Sequence, residues 1–147
     1  MSRTVLGILS AAGQPEEPCI LKRACEQARV MFHCGSVNSA GEGVRYLGGS
    51  GQYGNRHRYP MPALVILDLD LEGSGGYEVL SWIRREPRLQ NLPVVVVSES
   101  KSQMDMRRAY DLGASSYLSK PGSFAELVDL VRVIDRFWLT LNQAPRA

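Results

Sequence analysis

Charge of one sign is what this sequence has least of. Its 17 Lys and Arg residues nearly balance 15 Asp and Glu residues, for a net charge of +2, and no block of like charge exceeds a pair. That argues against a nucleic-acid surface built on charge alone. Long apolar runs are also missing: none approaches the roughly 20 residues of a membrane span, and the amino terminus lacks the apolar core of a signal peptide. The expectation is a cytoplasmic protein that uses neither nucleic acid nor membrane. Cysteine is scarce and odd in number. Cys19, Cys25 and Cys34 match no common zinc spacing and are expected to be reduced, partly buried thiols. His33 and His57 stand far apart and belong to no metal-binding motif.

What is present is enough for one domain over residues 1–147, a length that buries roughly two-thirds of its unfolded surface. Apolar runs at Val5 to Leu9, Val30 to Phe32, Leu64 to Leu67, Val94 to Val97 and Ser116 to Leu118 read as five short strands. Helical periodicity fills the intervals. The first helix follows Pro18 with Ile20, Leu21, Ala24 and Ala28 on one face. The second covers about Ala40 to Leu47 and ends in Gly48 and Gly49. The third runs from Gly76 and stops at Pro87. A fourth, from about Ser102 to Leu112, has Gly113 as its stop. The fifth, from about Ser123 to Leu141, carries an apolar stripe from Phe124 to Leu141 that reads as core. Five alternations of strand and helix imply right-handed crossovers and a doubly wound α/β fold with a parallel sheet. With six residues left after Leu141, no output domain is expected. The segment from Gly48 to Pro62, rich in Gly, Tyr and Arg, reads as a solvated loop, with a partner-docking edge as the alternative.

The chemistry gathers at the carboxyl ends of three strands. Leu64 Val65 Ile66 Leu67 Asp68 Leu69 Asp70 is an apolar run that delivers a carboxylate to its end, where ligands bind in parallel α/β sheets. Val94 to Val97 leads into Ser98, and Tyr117 Leu118 Ser119 leads into Lys120. A carboxylate beside a lysine and a hydroxyl suits phosphoryl transfer, in which catalysis is mostly positioning and charge stabilisation. Asp68 would accept the phosphoryl group as an acyl phosphate, Lys120 would neutralise one of its oxygens, and Ser98 would donate a hydrogen bond to another.

These residues resemble the receiver domains of two-component response regulators, and the resemblance covers almost the whole chain. Asp68 matches the phospho-acceptor at the end of the third strand, and Ser98 the hydroxyl residue after the fourth. Lys120 followed by Pro121 matches the lysine after the fifth, Tyr117 the aromatic switch residue three positions earlier, and Gly76 the glycine that opens the third helix. The segment Tyr46 to Pro62, the run Arg85 Glu86 Pro87 Arg88 Leu89 and the ending Phe137 Trp138 Leu139 look like the stand-alone type that partners bacterial phytochrome kinases. The resemblance implies a flavodoxin-like fold with strand order 2-1-3-4-5. It also implies a non-enzymatic bacterial phosphoprotein that takes a phosphoryl group from a sensor histidine kinase of phytochrome type. Ser98 and Tyr117 would act as the switch, signalling through the face of the fourth helix, fifth strand and fifth helix. The long apolar fifth helix with Phe137 and Trp138 suggests a homodimer.

The sequence departs from that family where magnesium would bind. Receivers carry two adjacent acidic residues just after the first strand, whereas this chain reads Leu9 Ser10 Ala11 Ala12 Gly13 Gln14. Glu16 and Glu17 come about four residues later and suit the start of the first helix. Glu72 and Gly75 replace the proline and the acidic residue usual after the acceptor strand. Magnesium affinity is expected to fall sharply, leaving Asp68 and Asp70 as candidate ligands of a weak or absent site. Asp70 reads either as a solvated surface residue or as a carboxylate adding back negative charge at an unusual position. A second hypothesis is therefore a phosphorylation-independent pseudo-receiver that binds a partner constitutively. A remote third is a haloacid-dehalogenase-like phosphatase, suggested by Asp68 Leu69 Asp70, Ser98 and Lys120.

Overall fold

The computed structural model describes residues 3–9, 20–73 and 75–141. Five strands, β1 (Thr4–Ile8), β2 (His33–Val37), β3 (Leu64–Asp68), β4 (Val94–Ser98) and β5 (Ser116–Ser119), form one sheet in the order β2-β1-β3-β4-β5. Every pairing is parallel. Helices α1 (Ile20–Ala28), α2 (Ala40–Gly48), α3 (Gly75–Arg85), α4 (Gln103–Asp111) and α5 (Phe124–Ile134) supply the crossovers. Because side chains alternate across a strand, the buried residues of β1, β3 and β4 divide between two cores. Leu6, Ile8, Val65, Leu67, Val94 and Val96 pack with α2 and α3 residues on one side. Val5, Leu64, Ile66, Val95 and Val97 pack with Leu21 and Ala24 of α1 and Val128, Val131 and Ile134 of α5 on the other. Both faces of these strands are covered, which is why they read as unbroken apolar runs.

The helix boundaries follow local chemistry. Ser39, Ser102 and Ser123 cap α2, α4 and α5, each accepting a bond from the backbone N–H three residues on. Gly49 ends α2 at φ 71, and Gly113 follows α4 at φ 106. A side chain on Gly113 would be strained by that φ and would also collide with Arg84.

Three expectations need correction. The second strand does not lie at Val30 to Phe32. Arg29, at φ 57, turns the chain out of α1, and the Val30 N–H bonds back to the Cys25 carbonyl. Val30 and Phe32 then pack into the core as a helix-end anchor. The ladder starts only at His33, whose N–H donates to the Arg3 carbonyl at 2.7 Å. As the edge strand β2 needs little hydrophobicity, so its sequence carries a weak signal. Secondly, the segment from Gly48 to Pro62 is not simply solvated. Tyr53 is buried, and Tyr46, Tyr53 and Tyr59 stack with centroids 4.9–5.9 Å apart. Arg56 donates to the Tyr46 and Leu47 carbonyls at 2.8 and 2.9 Å, capping α2 from outside. Finally, the fifth helix is regular only to Ile134 and continues as a π-helical stretch over Asp135–Leu141. Pro18, Cys19, Glu16, Glu17 and the Leu9 to Gln14 stretch beyond Leu9 lie outside the described residues.

Candidate phosphoryl-acceptor site

Strand β3 ends at Asp68, whose side chain is 1% exposed. The helix that follows is seated hard against this end. A Cβ on Gly76 would stand 2.6 Å from Leu69 Cα and 2.7 Å from the Asp68 carbonyl oxygen, so only glycine allows α3 to begin there. On the other side, the Leu69 N–H donates to the Val97 carbonyl and the Lys120 N–H to the Ser98 carbonyl, both at 2.9 Å. These bonds line up the ends of β3, β4 and β5 and bring Asp68, Ser98 and Lys120 to one edge of the sheet.

Lys120 Nζ lies 2.9 Å from Asp68 Oδ2 and 3.8 Å from Asp70 Oδ2. Partial burial works to lower the lysine pKa, but the hydrogen bond and charge of Asp68, with the charges of Asp70 and Glu99, outweigh it. The ammonium is held above its ordinary value. Asp68 Oδ1 accepts from the Asp70 backbone N–H at 2.8 Å, a local Asx-type turn that folds the chain back over the site.

Asp70 is an exposed residue, as the solvated reading has it, but its carboxylate is held by specific partners. Its Oδ1 accepts the Ser98 hydroxyl proton at 3.0 Å, and its Oδ2 accepts the Glu99 backbone N–H at 2.8 Å. Sequence reasoning placed the right residue types together but missed this closure. The signal was present in the spacing, because residues two apart in an extended chain share a face and Asp favours such turns.

A polar path leaves the site. Ser98 Oγ accepts from the Ser100 N–H at 3.1 Å, and the Tyr117 hydroxyl donates to the Ser100 carbonyl at 2.8 Å. Ser100 Oγ donates to Asp105 at 2.6 Å, which reaches the first turn of α4. Tyr77 of α3 faces the same region under the Arg108 guanidinium, 3.9 Å from its ring centre. Burial first, then the nearby charge of Asp105, pushes its phenol pKa up. Tyr117 is thus linked to the acceptor region through Ser100, which the sequence did not single out. Beside Asp68, on the α5 side, a cleft of about 240 Å³ is bounded by Leu9, Ile66, Val97, Lys120 and Phe124.

Among the described residues, which do not include residues 10–19, the donor set does not complete a divalent-cation site. Hard cations take six or more oxygen ligands with little competition from cationic donors. Here the Asp68 and Asp70 oxygens already face Lys120, Ser98 and backbone N–H groups. Among the described residues, no cluster of three His, Cys, Asp or Glu side chains is placed to hold a metal, and no helix is long and apolar enough to cross a membrane.

Comparison with known proteins agrees with this geometry. Among curated proteins, the chain is 47% identical over 85 residues to the probable methanogenesis regulatory protein FilR2 of Methanothrix harundinacea, covering 58% of this chain and 55% of FilR2. It is 36% identical over 96 residues to response regulator Rcp1 of Synechocystis sp., covering 65% of each. The aligned stretch thus spans between about half and two-thirds of these relatives. Among solved structures, the phosphorylated cyanobacterial phytochrome response regulator RcpA superposes with a TM-score of 0.84 at 28% identity, covering 99% of this chain and 100% of RcpA. The Mn(2+)-bound form of Rcp1 superposes with a TM-score of 0.78 at 25% identity, covering 98% and 99%. The family model for the response regulator receiver domain matches residues 19–132, and with the sheet order, the carboxylate at the end of β3 and the lysine after β5 in place, the chain belongs to that family.

Proposed function

We propose that this chain is a single-domain response regulator that receives a phosphoryl group on Asp68 from a sensor histidine kinase, one of phytochrome type. It passes the signal on through the face formed by α4, β5 and α5. The observation that carries the reading is the convergence of Asp68, Lys120 and Ser98 at one sheet edge, with a hydrogen-bonded path from there to Tyr117. The likeness to RcpA, a phytochrome response regulator by its printed description, supports the kinase class.

In the transfer step an Asp68 carboxylate oxygen attacks the phosphorus of the kinase phosphohistidine. The new O–P bond forms as the P–N bond breaks, and the electron pair returns to the imidazole, which takes up a proton. Lys120 offsets the charge gathering on the phosphoryl oxygens. Magnesium is given no step, because the described donor set does not fit it. The phosphatase alternative is not retained. Asp129, which would have to serve in a later acidic motif, lies on the outer face of α5, 75% exposed and paired with Arg132.

The test is intact-mass analysis after incubation with a small phosphodonor and with a phytochrome-type kinase, followed by hydroxylamine trapping to locate the acyl phosphate. A gain of one phosphoryl group mapping to Asp68, absent in Asp68→Asn, is expected. No gain under either donor overturns the acceptor role. The sequence Leu9 Ser10 Ala11 Ala12 Gly13 Gln14, where receivers carry an acidic pair, favours a second reading, a module that binds its partner without phosphate; in that case Asp68→Asn retains full partner binding.

A further inference from the structure

Ser98 has one hydroxyl proton and the Glu99 amide has one N–H, and each can serve one strong acceptor at a time. Both are directed at the Asp70 carboxylate, at 3.0 and 2.8 Å. Lys120 lies 3.8 Å from the same group while bonding Asp68 at 2.9 Å. A phosphoryl group on Asp68 would need just these donors, since its oxygens are anionic acceptors that require a hydroxyl, an amide and an ammonium. Asp70 and a phosphoryl group therefore compete for one donor set.

We infer that Asp70 is a built-in anionic occupant of the phosphoryl pocket. It draws Ser98 toward the site and thereby holds the Ser98–Ser100–Tyr117 path in the engaged arrangement, and any phosphoryl group arriving on Asp68 must displace it. Three features of the chain carry this together. The Asx-type turn from Asp70 N–H to Asp68 Oδ1 aims the second carboxylate back over the first. Ser98 Oγ is bonded on both sides, donating to Asp70 and accepting from the Ser100 N–H, so its rotamer is fixed. Tyr117, part-buried in the same core, bonds the Ser100 carbonyl at 2.8 Å, so that its ring position depends on where the Ser98 loop lies. Asp70 is thus a positioning residue, acting on Tyr117 through Ser98 and Ser100. Only the displacement half of the inference rests on Asp68 being the acceptor.

The experiment uses the full chain, as wild type, Asp70→Asn and Asp70→Ala, with ring-labelled tyrosine for NMR. Tyr117 is assigned through Tyr117→Phe, and the distant Tyr53 signals report folding. In both variants, with Tyr53 unchanged, the Tyr117 ring signals are expected to shift or broaden. Exchange of the Glu99 amide should rise about tenfold in Asp70→Ala, which loses a charge-assisted hydrogen bond, and less in Asp70→Asn, whose carbonyl oxygen still accepts. Phosphoramidate should then phosphorylate Asp70→Ala faster than wild type and return its Tyr117 signals toward the wild-type position. Tyr117 and Glu99 signals in both variants indistinguishable from wild type overturn the inference, as does a wild-type Tyr117 that moves on phosphorylation as far as the variants differ from it. Should Tyr117 respond to Asp70 while no protein gains a phosphoryl group, the acceptor reading fails and the role of Asp70 stands.

Discussion

The two flanks of the sheet are held together by different means. Beside β2, Tyr46, Tyr53 and Tyr59 form a ring cluster, closed by the Tyr53 hydroxyl on Glu42 at 2.5 Å and by Arg56 on the end of α2. Beside β5, among the described residues, no three-ring cluster of this kind forms, and Tyr117 is reached from Asp70 through Ser98 and Ser100 by a chain of single hydrogen bonds. Dispersion contacts add up over many atoms and fail gradually. A file of single bonds fails as a unit when any member leaves. The molecule thus has one side built to stay and one side able to respond.

The comparison breaks most sharply at Lys120. Lys120→Met removes the ammonium 2.9 Å from the buried Asp68 carboxylate, and the expected loss is about 3 kcal/mol in urea unfolding, at the low end for a broken buried pair because the lysine is partly exposed. The alkaline limb should change too. A lysine whose pKa is raised on folding contributes fully below its ordinary value of 10.5, and that contribution is lost as pH rises through the higher folded value. The wild type should lose stability in this window and the variant should not; equal alkaline slopes would remove the ion pair as a stabilising element.

Arg84 tests the base of the responsive side. It donates to the Gly113 carbonyl at 2.9 Å and the Leu92 carbonyl at 2.7 Å, joining the end of α3 to the turn before β5. Arg84→Ala is expected to cost about 2 kcal/mol and to raise amide exchange in β5 while the tyrosine cluster keeps its protection. Equal loosening of both flanks would contradict their independence.

A smaller effect belongs to Tyr53→Phe, at about 1 kcal/mol. The Tyr53 hydrogen bond, helped by Arg45, holds the Glu42 carboxyl below its ordinary value, and its stabilisation is present above 4.5 and lost as pH falls through the depressed value. Acid titration of stability should flatten in the variant. Smallest in stability is Tyr117→Phe, at about 0.5 kcal/mol, because one part-buried bond is lost. Its effect should appear instead as faster exchange around Ser100 with the β2 side unchanged.

What could be read in the sequence follows the same division. Leu64 to Leu67 and Val94 to Val97 announce buried central strands because both faces are covered, and the polar residues closing them had to meet where parallel strands end. Edge strand β2 was misplaced because the anchor Val30–Phe32 is more apolar than the strand itself. The tyrosine cluster escaped because long-range ring contacts leave no periodic trace in a Gly-rich segment. Asp70 was legible as a residue but not as an acceptor, since its role depends on a turn and on a backbone N–H, and backbone donors have no signature in side-chain identity.

The contact at Gly76 has a mechanical meaning. With no side chain, the start of α3 lies directly on the last residues of β3, leaving no gap into which either could slide. The acceptor end of the site therefore works like a fixed anvil. Any travel must come from the opposite jaw, the Ser98 loop and β5, so under the proposed role of Asp68 a change there is delivered in one direction, toward α4 and Tyr117, instead of spreading evenly through the sheet.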